Sequence, residues 1–442
     1  MTKDMTSGNA WRQIFFFSLP LLVGNVFQQL YSMVDTIIVG RFVSVKALAA
    51  VGSTGAISFL VLGFAMGMTA GFSVIIAQRF GAGDEEGVRK SIGMAIWLSV
   101  ITMAVLTALA IATARPLLEF MNTPEDIIGD ALVYIIIIYG GIGASIYYNL
   151  IASIVRALGD SKTPLYFLLF SSGLNIVLDL VLIIFFHMGV AGAGIATVFS
   201  QLLAAVLCTI YSVKKFELIR LSRRHMRWNR QLAKAELGVG LPMAFQYSIT
   251  AVGVMVLQGA LNRFGSSVIA SYTAASKVEA VVTQPFNALG MAMTTYCGQN
   301  VGAGKWDRVR RGMKICTVMC MVTVAVAMAV NIFAGSWCTA LFMTEPTKEI
   351  LSYAQTYLNT IAVFYPALGL LYVYRNGLQG MGDGLFPMLG GLGELLARLA
   401  VATVLPGLMG YMGICMASPV AWCAATAVLL ARYFIWMHKK QP

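Results

Sequence analysis

Two carboxylates sit inside long apolar stretches of this 442-residue sequence. Asp35 lies in Pro20–Arg41, PLLVGNVFQQLYSMVDTIIVGR, and Asp179 lies between Pro164 and His187. An ionised Asp in hydrocarbon costs about 2.5–3.5 kcal/mol even on a lenient insertion scale, so a chain that keeps one there is expected to use it. Asn175 precedes Asp179 by four residues and shares its helix face. Thr197 and Tyr134, on two further helices, fall at a similar depth when counted from the ends of their segments. Oxygen-bearing side chains from four helices at one depth suit a proton or sodium site. The same residues could instead hold helices together by hydrogen bonds alone. Pro20 stands fifteen residues before Asp35, about 22 Å along a helix. It removes one ladder hydrogen bond, which places a hinge near one end of the helix and a titratable group near the other.

The elements that must position these groups follow from composition. The chain is 58% apolar and only 11% charged, where a soluble domain carries about 25% charge. Apolar runs of roughly twenty residues recur throughout, so the expected fold is an all-α integral membrane protein with twelve transmembrane helices. Three of these spans are expected at 131–156, 268–297 and 350–378. The polar stretch Met1–Gly8 lacks the pattern of a cleavable signal, so the first helix is expected to remain as an anchor.

The formal charge of +12 would suggest nucleic acid in a soluble protein. Here the great majority of Lys and Arg fall in loops on the side of the termini, which predicts cytoplasmic termini in the cell membrane and no nucleic-acid partner. Only Lys277 and Arg398 are counted as bases within spans. The longest basic loop, Lys214–Lys234, is expected to lie against anionic headgroups. The seven cysteines match neither a zinc site nor a disulfide framework; Cys316 and Cys320 share a helix face without a His or acid beside them. His187, His225 and His438 lie near span ends or in loops. With no nucleophile, metal or base cluster, the chain is not expected to be an enzyme, and no cofactor beyond a coupling ion is implied. Nothing requires a dimer, so a monomer is expected.

The chain repeats itself at an offset of about 222 residues. Gln78-Arg-Phe-Gly-Ala-Gly-Asp84 returns as Gln299-Asn-Val-Gly-Ala-Gly-Lys305, Leu158-Gly-Asp160 with Pro164 returns as Met381-Gly-Asp383 with Pro387, Gly40-Arg-Phe42 is echoed by Asn262-Arg-Phe264, and Pro20 by Pro242. Six spans per repeat is an even number, so the copies enter the membrane in the same orientation. This predicts two parallel six-helix bundles related by a pseudo-twofold axis along the membrane normal, facing each other across a cleft. The expected division is residues 1–213, a basic cytoplasmic linker at 214–234, and 235–442. The Gly-Ala-Gly loops miss the phosphate-binding patterns and are read as helix C-caps. Gly63, Gly67 and Gly71 form a close-packing face.

The second half lacks the carboxylate pair: Leu257 stands at the position of Asp35 and Ala402 at that of Asp179. Its own polar candidates are Lys277, Glu279, Glu394 and Arg398. Glu394 and Arg398 are an i, i+4 pair able to neutralise itself, whereas Lys277 and Glu279 need other partners.

Taken together, the Asp35 helix, the Gly-Ala-Gly loops, the Gly-Asp turns before Pro164 and Pro387 and the six-plus-six repeat resemble the multidrug and toxic compound extrusion (MATE) transporters, over nearly the whole chain. The resemblance implies export of organic cations and amphipathic drugs in exchange for protons or sodium, by alternating access between two lobes. It implies that Asp35 is the coupling carboxylate of the first helix. Asn175, Asp179, Thr197 and Tyr134 match the polar cluster of the DinF-like branch, and Pro20 matches the proline proposed as its bend. The alternative within transport is a flippase for a lipid-linked oligosaccharide, which would be expected to carry several unpaired bases within its spans. The 25 methionines suit a permissive binding surface. Tyr31, Phe64, Tyr147 and Phe286 are aromatics able to stack on cations, with none assigned to substrate.

Overall fold

The computed structural model describes residues 4–261, 263–343 and 347–439. Asn262, part of the Arg-Phe echo, lies outside them. The chain runs as α1 (Ala10–Phe42), α2 (Val45–Gly81), α3 (Glu85–Phe120), α4 (Glu125–Gly140), α5 (Ile142–Ala157), α6 (Lys162–Leu180) and α7 (Gly189–Lys215). The second repeat follows as α8 (Arg230–Leu261), α9 (Ser266–Val282), α10 (Gln284–Gly302), α11 (Trp306–Ala340), α12 (Lys348–Val363), α13 (Tyr365–Gly380), α14 (Leu385–Met409), α15 (Tyr411–Cys415) and α16 (Ala417–Lys439). Among the described residues there is no strand, as a chain in hydrocarbon requires when every backbone group must be satisfied within its own segment.

The sixteen α-helices of the described residues outnumber the twelve expected spans because several spans are broken. The span expected at 131–156 is α4 with α5, bent by 45° at Gly141, and that at 350–378 is α12 with α13, bent by 55° at Phe364. Among the described residues, nine helices are long and apolar enough to cross a membrane, and the two bent pairs bring the number to eleven. The remaining expected span, 268–297, falls on α9 and α10, which are interrupted at Thr283 and are not among these.

Helix ends are set by local chemistry repeated in both halves. Gly83 and Gly304 take left-handed backbone (φ 71° and 70°). The next residue donates five back in each case, Asp84 N to Arg79 O at 3.1 Å and Lys305 N to Asn300 O at 2.8 Å. These are the Schellman caps that a C-terminal Gly permits. Gly159 and Gly382 make the same turn. The Asp that follows each then caps the next helix: Asp160 Oδ1 accepts from Lys162 N and Thr163 N, and Asp383 Oδ1 from Phe386 N. Each also takes a distant cation, with Lys215 Nζ 2.8 Å from Asp160 Oδ2 and Arg432 Nε 2.6 Å from Asp383 Oδ2.

The chain clusters into two compact units, one built mainly from Val23–Ser248 and the other from Thr6–Leu22 with the chain from Ile249 onward. Both α1 and α8 are therefore divided, α1 after Leu22, two residues beyond Pro20. α1 continues as helix through Pro20, and α8 through Pro242. In the first unit, α2 lies against the first half of α8. A Cβ on Gly71 would stand 2.3 Å from Gly240 Cα, and one on Gly67 2.6 Å from Ala244 Cα, so the glycine face expected from the sequence brings two backbones together. The seven cysteines are free thiols.

Candidate functional site

The first unit gathers Asp35 from α1, Asn175 and Asp179 from α6, Thr197 from α7 and Tyr134 from α4. Asp179 and Asn175 are 0% and 1% exposed. The carboxyl groups of Asp35 and Asp179 face each other within electrostatic reach. One oxygen of each, Oδ1, is buried with no partner among the described residues. Asn175, its amide oriented by its neighbours, donates to Asp179 Oδ2 at 2.9 Å and to Tyr31 Oη at 3.1 Å. Its oxygen faces Thr197 Oγ1 at 3.3 Å and Thr197 N at 3.1 Å. Thr197 Oγ1 also lies 3.0 Å from the Ala193 carbonyl one turn back, which fixes the hydroxyl on the α7 surface. Tyr134 packs beside Gly194 and against an apolar cluster of Ile38, Val39, Ala47, Ile183, Val190 and Ala193, within electrostatic reach of both carboxyl groups.

Local sequence explains this convergence. Asn175 and Asp179 are one turn apart, as are Tyr31 and Asp35, so each helix offers a polar pair on one face. Small residues on α7, including Gly192, Ala193, Gly194 and Ala196, let that helix approach closely. Directly after Asp179, Val181–Phe185 forms a π-helical turn, a feature common at functional sites because it re-aims the side chains around it.

Tyr31 belongs to this cluster as a hydrogen-bond partner of Asn175, a role the sequence reading did not give it. Its four-residue spacing from Asp35 was the available signal. The aromatic Phe286 is fully buried and packs edge-on against Tyr365 at 5.8 Å, a core contact.

In the second unit, Leu257 and Ala402 lie in one buried apolar cluster with Leu261, Val401 and Ile414. The repeat thus brings the same two positions together in both halves, once as carboxyls and once as hydrocarbon. Glu394 binds Arg398 Nη2 at 3.0 Å, as its spacing suggests, and also Arg375 Nη2 at 2.8 Å. The sequence count of bases within spans omitted Arg375, which is buried on α13. Arg398 is further seated against Gly253, where a Cβ would meet its guanidinium at 2.6 Å. Glu279 accepts a 2.6 Å hydrogen bond from Tyr357 Oη. Lys277 is exposed and, among the described residues, makes no ion pair with them. Pro20 is separate from both clusters along the chain. Among the described residues, no group of three or more His, Cys, Asp or Glu is arranged to hold a metal.

The MatE family profile matches residues 20–181 and 242–404, one copy in each half. The probable multidrug resistance protein YpnP of Bacillus subtilis is 30% identical over 380 residues, covering 86% of this chain and 84% of that one. YoeA of the same organism, also a probable multidrug resistance protein, is 26% identical across 100% of this chain and 97% of its own. A solved outward-facing multidrug resistance MATE transporter superimposes with a TM-score of 0.92 at 22% identity, covering 99% of this chain and 98% of the other. The polar cluster, the doubled six-span architecture and these matches place the chain in the MatE family of multidrug and toxic compound extrusion transporters.

Proposed function

We propose that this protein is an antiporter that exports organic cations and other amphipathic molecules in exchange for a cation bound at Asp35 and Asp179, and that this cation is a proton. The observation that carries the reading is the meeting of two carboxyl groups from different helices, each with a buried Oδ1 that has no partner among the described residues. Two carboxylates side by side in a buried site repel each other, which favours a proton on one of them. Such a pair holds one proton and keeps a bare oxygen on each residue. Release of the proton leaves two carboxylates in contact, a charge that a cationic substrate relieves. Proton and substrate then compete for one negative field, which is the exchange an antiporter needs.

Competition drives transport only if each ligand binds the outward and inward states unequally. Bending of α1 at Pro20 is the proposed source of that inequality. The multidrug names carried by YpnP and YoeA support the substrate class. Sodium at the same oxygens is the second possibility for the coupling ion, favoured by the additional Asn175 and Thr197 oxygens. In the second unit, Glu394 between two guanidiniums and Glu279 on Tyr357 are proposed as structural. That pairing also weighs against the flippase alternative, because Arg375 and Arg398 already share a carboxylate. The working form is a monomer in the cell membrane with both termini cytoplasmic.

The test is efflux of a fluorescent lipophilic cation from proteoliposomes under a pH or a sodium gradient, imposed separately, with wild type and Asp35→Asn. The expected result is flux driven by the pH gradient in wild type and lost in the variant. Flux driven by sodium alone would reassign the ion. No flux in wild type under either gradient would favour the flippase.

A further inference from the structure

The linker between the halves is held rigidly over the start of α3. The Trp97 Nε1–H donates to Met226 O at 2.8 Å, the His225 ring meets Glu86 Oε2 at 3.2 Å, and Ser222 N donates to His225 Nδ1 at 3.0 Å. Asn229 Oδ1 then caps α8 through Gln231 N and Leu232 N. Between these fixed points Arg227 and Trp228 are exposed, Trp228 by 55%, and the Arg227 guanidinium has no side-chain partner among the described residues. Both line a cavity of about 330 Å³ together with Lys90, Arg224, Glu86 and Leu232. Arg224 and Lys90 converge on the single carboxylate of Glu86, at 3.2 and 3.5 Å. Three cations thus face one anion.

The cavity lies at the ends of two apolar spans, α3 and α8. Lys90 is two helical turns from Trp97, and from there an exposed apolar row descends α3 at four-residue intervals: Trp97 43%, Ile101 47%, Val105 51%, Leu109 57%. A basic cavity at the end of a span, an interfacial tryptophan and a hydrocarbon stripe leading from it are the three parts that recognise a lipid. We infer that this cavity is a binding site for the phosphate headgroup of an anionic phospholipid, whose acyl chain lies along the Trp97–Leu109 row. Arg227, with the excess of Lys90 and Arg224 over the single Glu86 carboxylate, supplies the net positive charge, and Trp228 sets the headgroup depth. A soluble phosphoester would satisfy the cations and leave the apolar row without an occupant.

The experiment is native mass spectrometry of the purified full chain titrated with phosphatidylglycerol or with phosphatidylcholine of the same acyl chains. The proteins compared are wild type, Arg227→Ala, Trp228→Ala and Arg223→Ala, the last removing an exposed linker charge outside the cavity. Wild type should prefer phosphatidylglycerol. Arg227→Ala should weaken that binding about fivefold, the factor equivalent to about 1 kcal/mol per basic residue at a charged surface, and Arg223→Ala should not. Equal binding of the two lipids, an equal effect of Arg223→Ala, or displacement of lipid by glycerol phosphate at matching concentration would overturn the site. Among the described residues, neither the Arg227 guanidinium nor the Trp228 ring makes a hydrogen bond, ion pair or ring contact, and both are exposed, so lipid-free melting temperatures should match wild type. Binding is read without transport, so failure of the antiport reading leaves this result unaffected.

Discussion

At the scale of single residues, the proposed coupling site is built from polar groups that pair with one another. Asp35→Asn and Asp179→Asn should each abolish gradient-driven efflux in proteoliposomes. Their double variant should be no worse than either alone, because groups acting as one unit are not additive. Asn175→Ala strips Asp179 and Tyr31 of a donor in a buried site and should cost about 1–3 kcal/mol of stability, read as a lower melting temperature in detergent. Asp160, in the turn before α6, gives a pH prediction. Burial works to raise its carboxyl, but hydrogen bonds from Lys215 and Thr163 together with the Lys215 charge outweigh it and hold the group below the usual carboxylate range. A depressed carboxylate contributes stability that is complete above its unfolded value, about 3.9, and is lost as pH falls through the folded one. The gap in melting temperature between wild type and Asp160→Asn should therefore hold steady from pH 7 to about 5 and close on further acidification.

At the scale of helices, close approach is the controlling variable. Gly71→Ala would drive a methyl into the Gly240 backbone, and an overpacked contact of this kind costs about 1–3 kcal/mol. Gly83→Ala has open space around its Cβ but a left-handed φ of 71°, so its cost is conformational and about 1–2 kcal/mol. Melting curves of the two variants separate steric from backbone cost. The Gly63–Gly67–Gly71 face and the C-capping glycines were legible in the sequence because four-residue spacing and the Gly-Ala-Gly pattern are local signals. The bend at Gly141 was not, because it has no proline at the break and the hydropathy runs straight through it, whereas the bend at Phe364 had a signal in Pro366 at the start of α13 that the sequence reading did not use. The π-helical turn after Asp179 was equally silent, since Val-Leu-Ile-Ile-Phe fits any buried helix.

At the scale of the whole molecule, the doubled profile match and the doubled turns describe one six-span unit used twice. The proposed orientation predicts that, in a chain otherwise free of cysteine, Arg223→Cys reacts with an impermeant maleimide only from the cytoplasm and Asn122→Cys only from outside; labelling from the same side would refute it. Sequence alone determined the membrane class, the repeat, the pairing of Asn175 with Asp179 on one face and the absence of acids at Leu257 and Ala402. Each of these rests on composition or on short-range periodicity, which the chain carries residue by residue. Tertiary structure decided the rest: that Asp35 meets Asp179 across nearly 150 residues, that Tyr31 joins them through Asn175, that Arg375 becomes a second partner of Glu394, and that α1 and α8 are each divided between the two compact units. Sequence fixes how deep a side chain sits along its own helix, whereas its lateral neighbours depend on how helices rotate and pack, and that is settled only when backbones meet at glycine faces and buried polar groups find their partners.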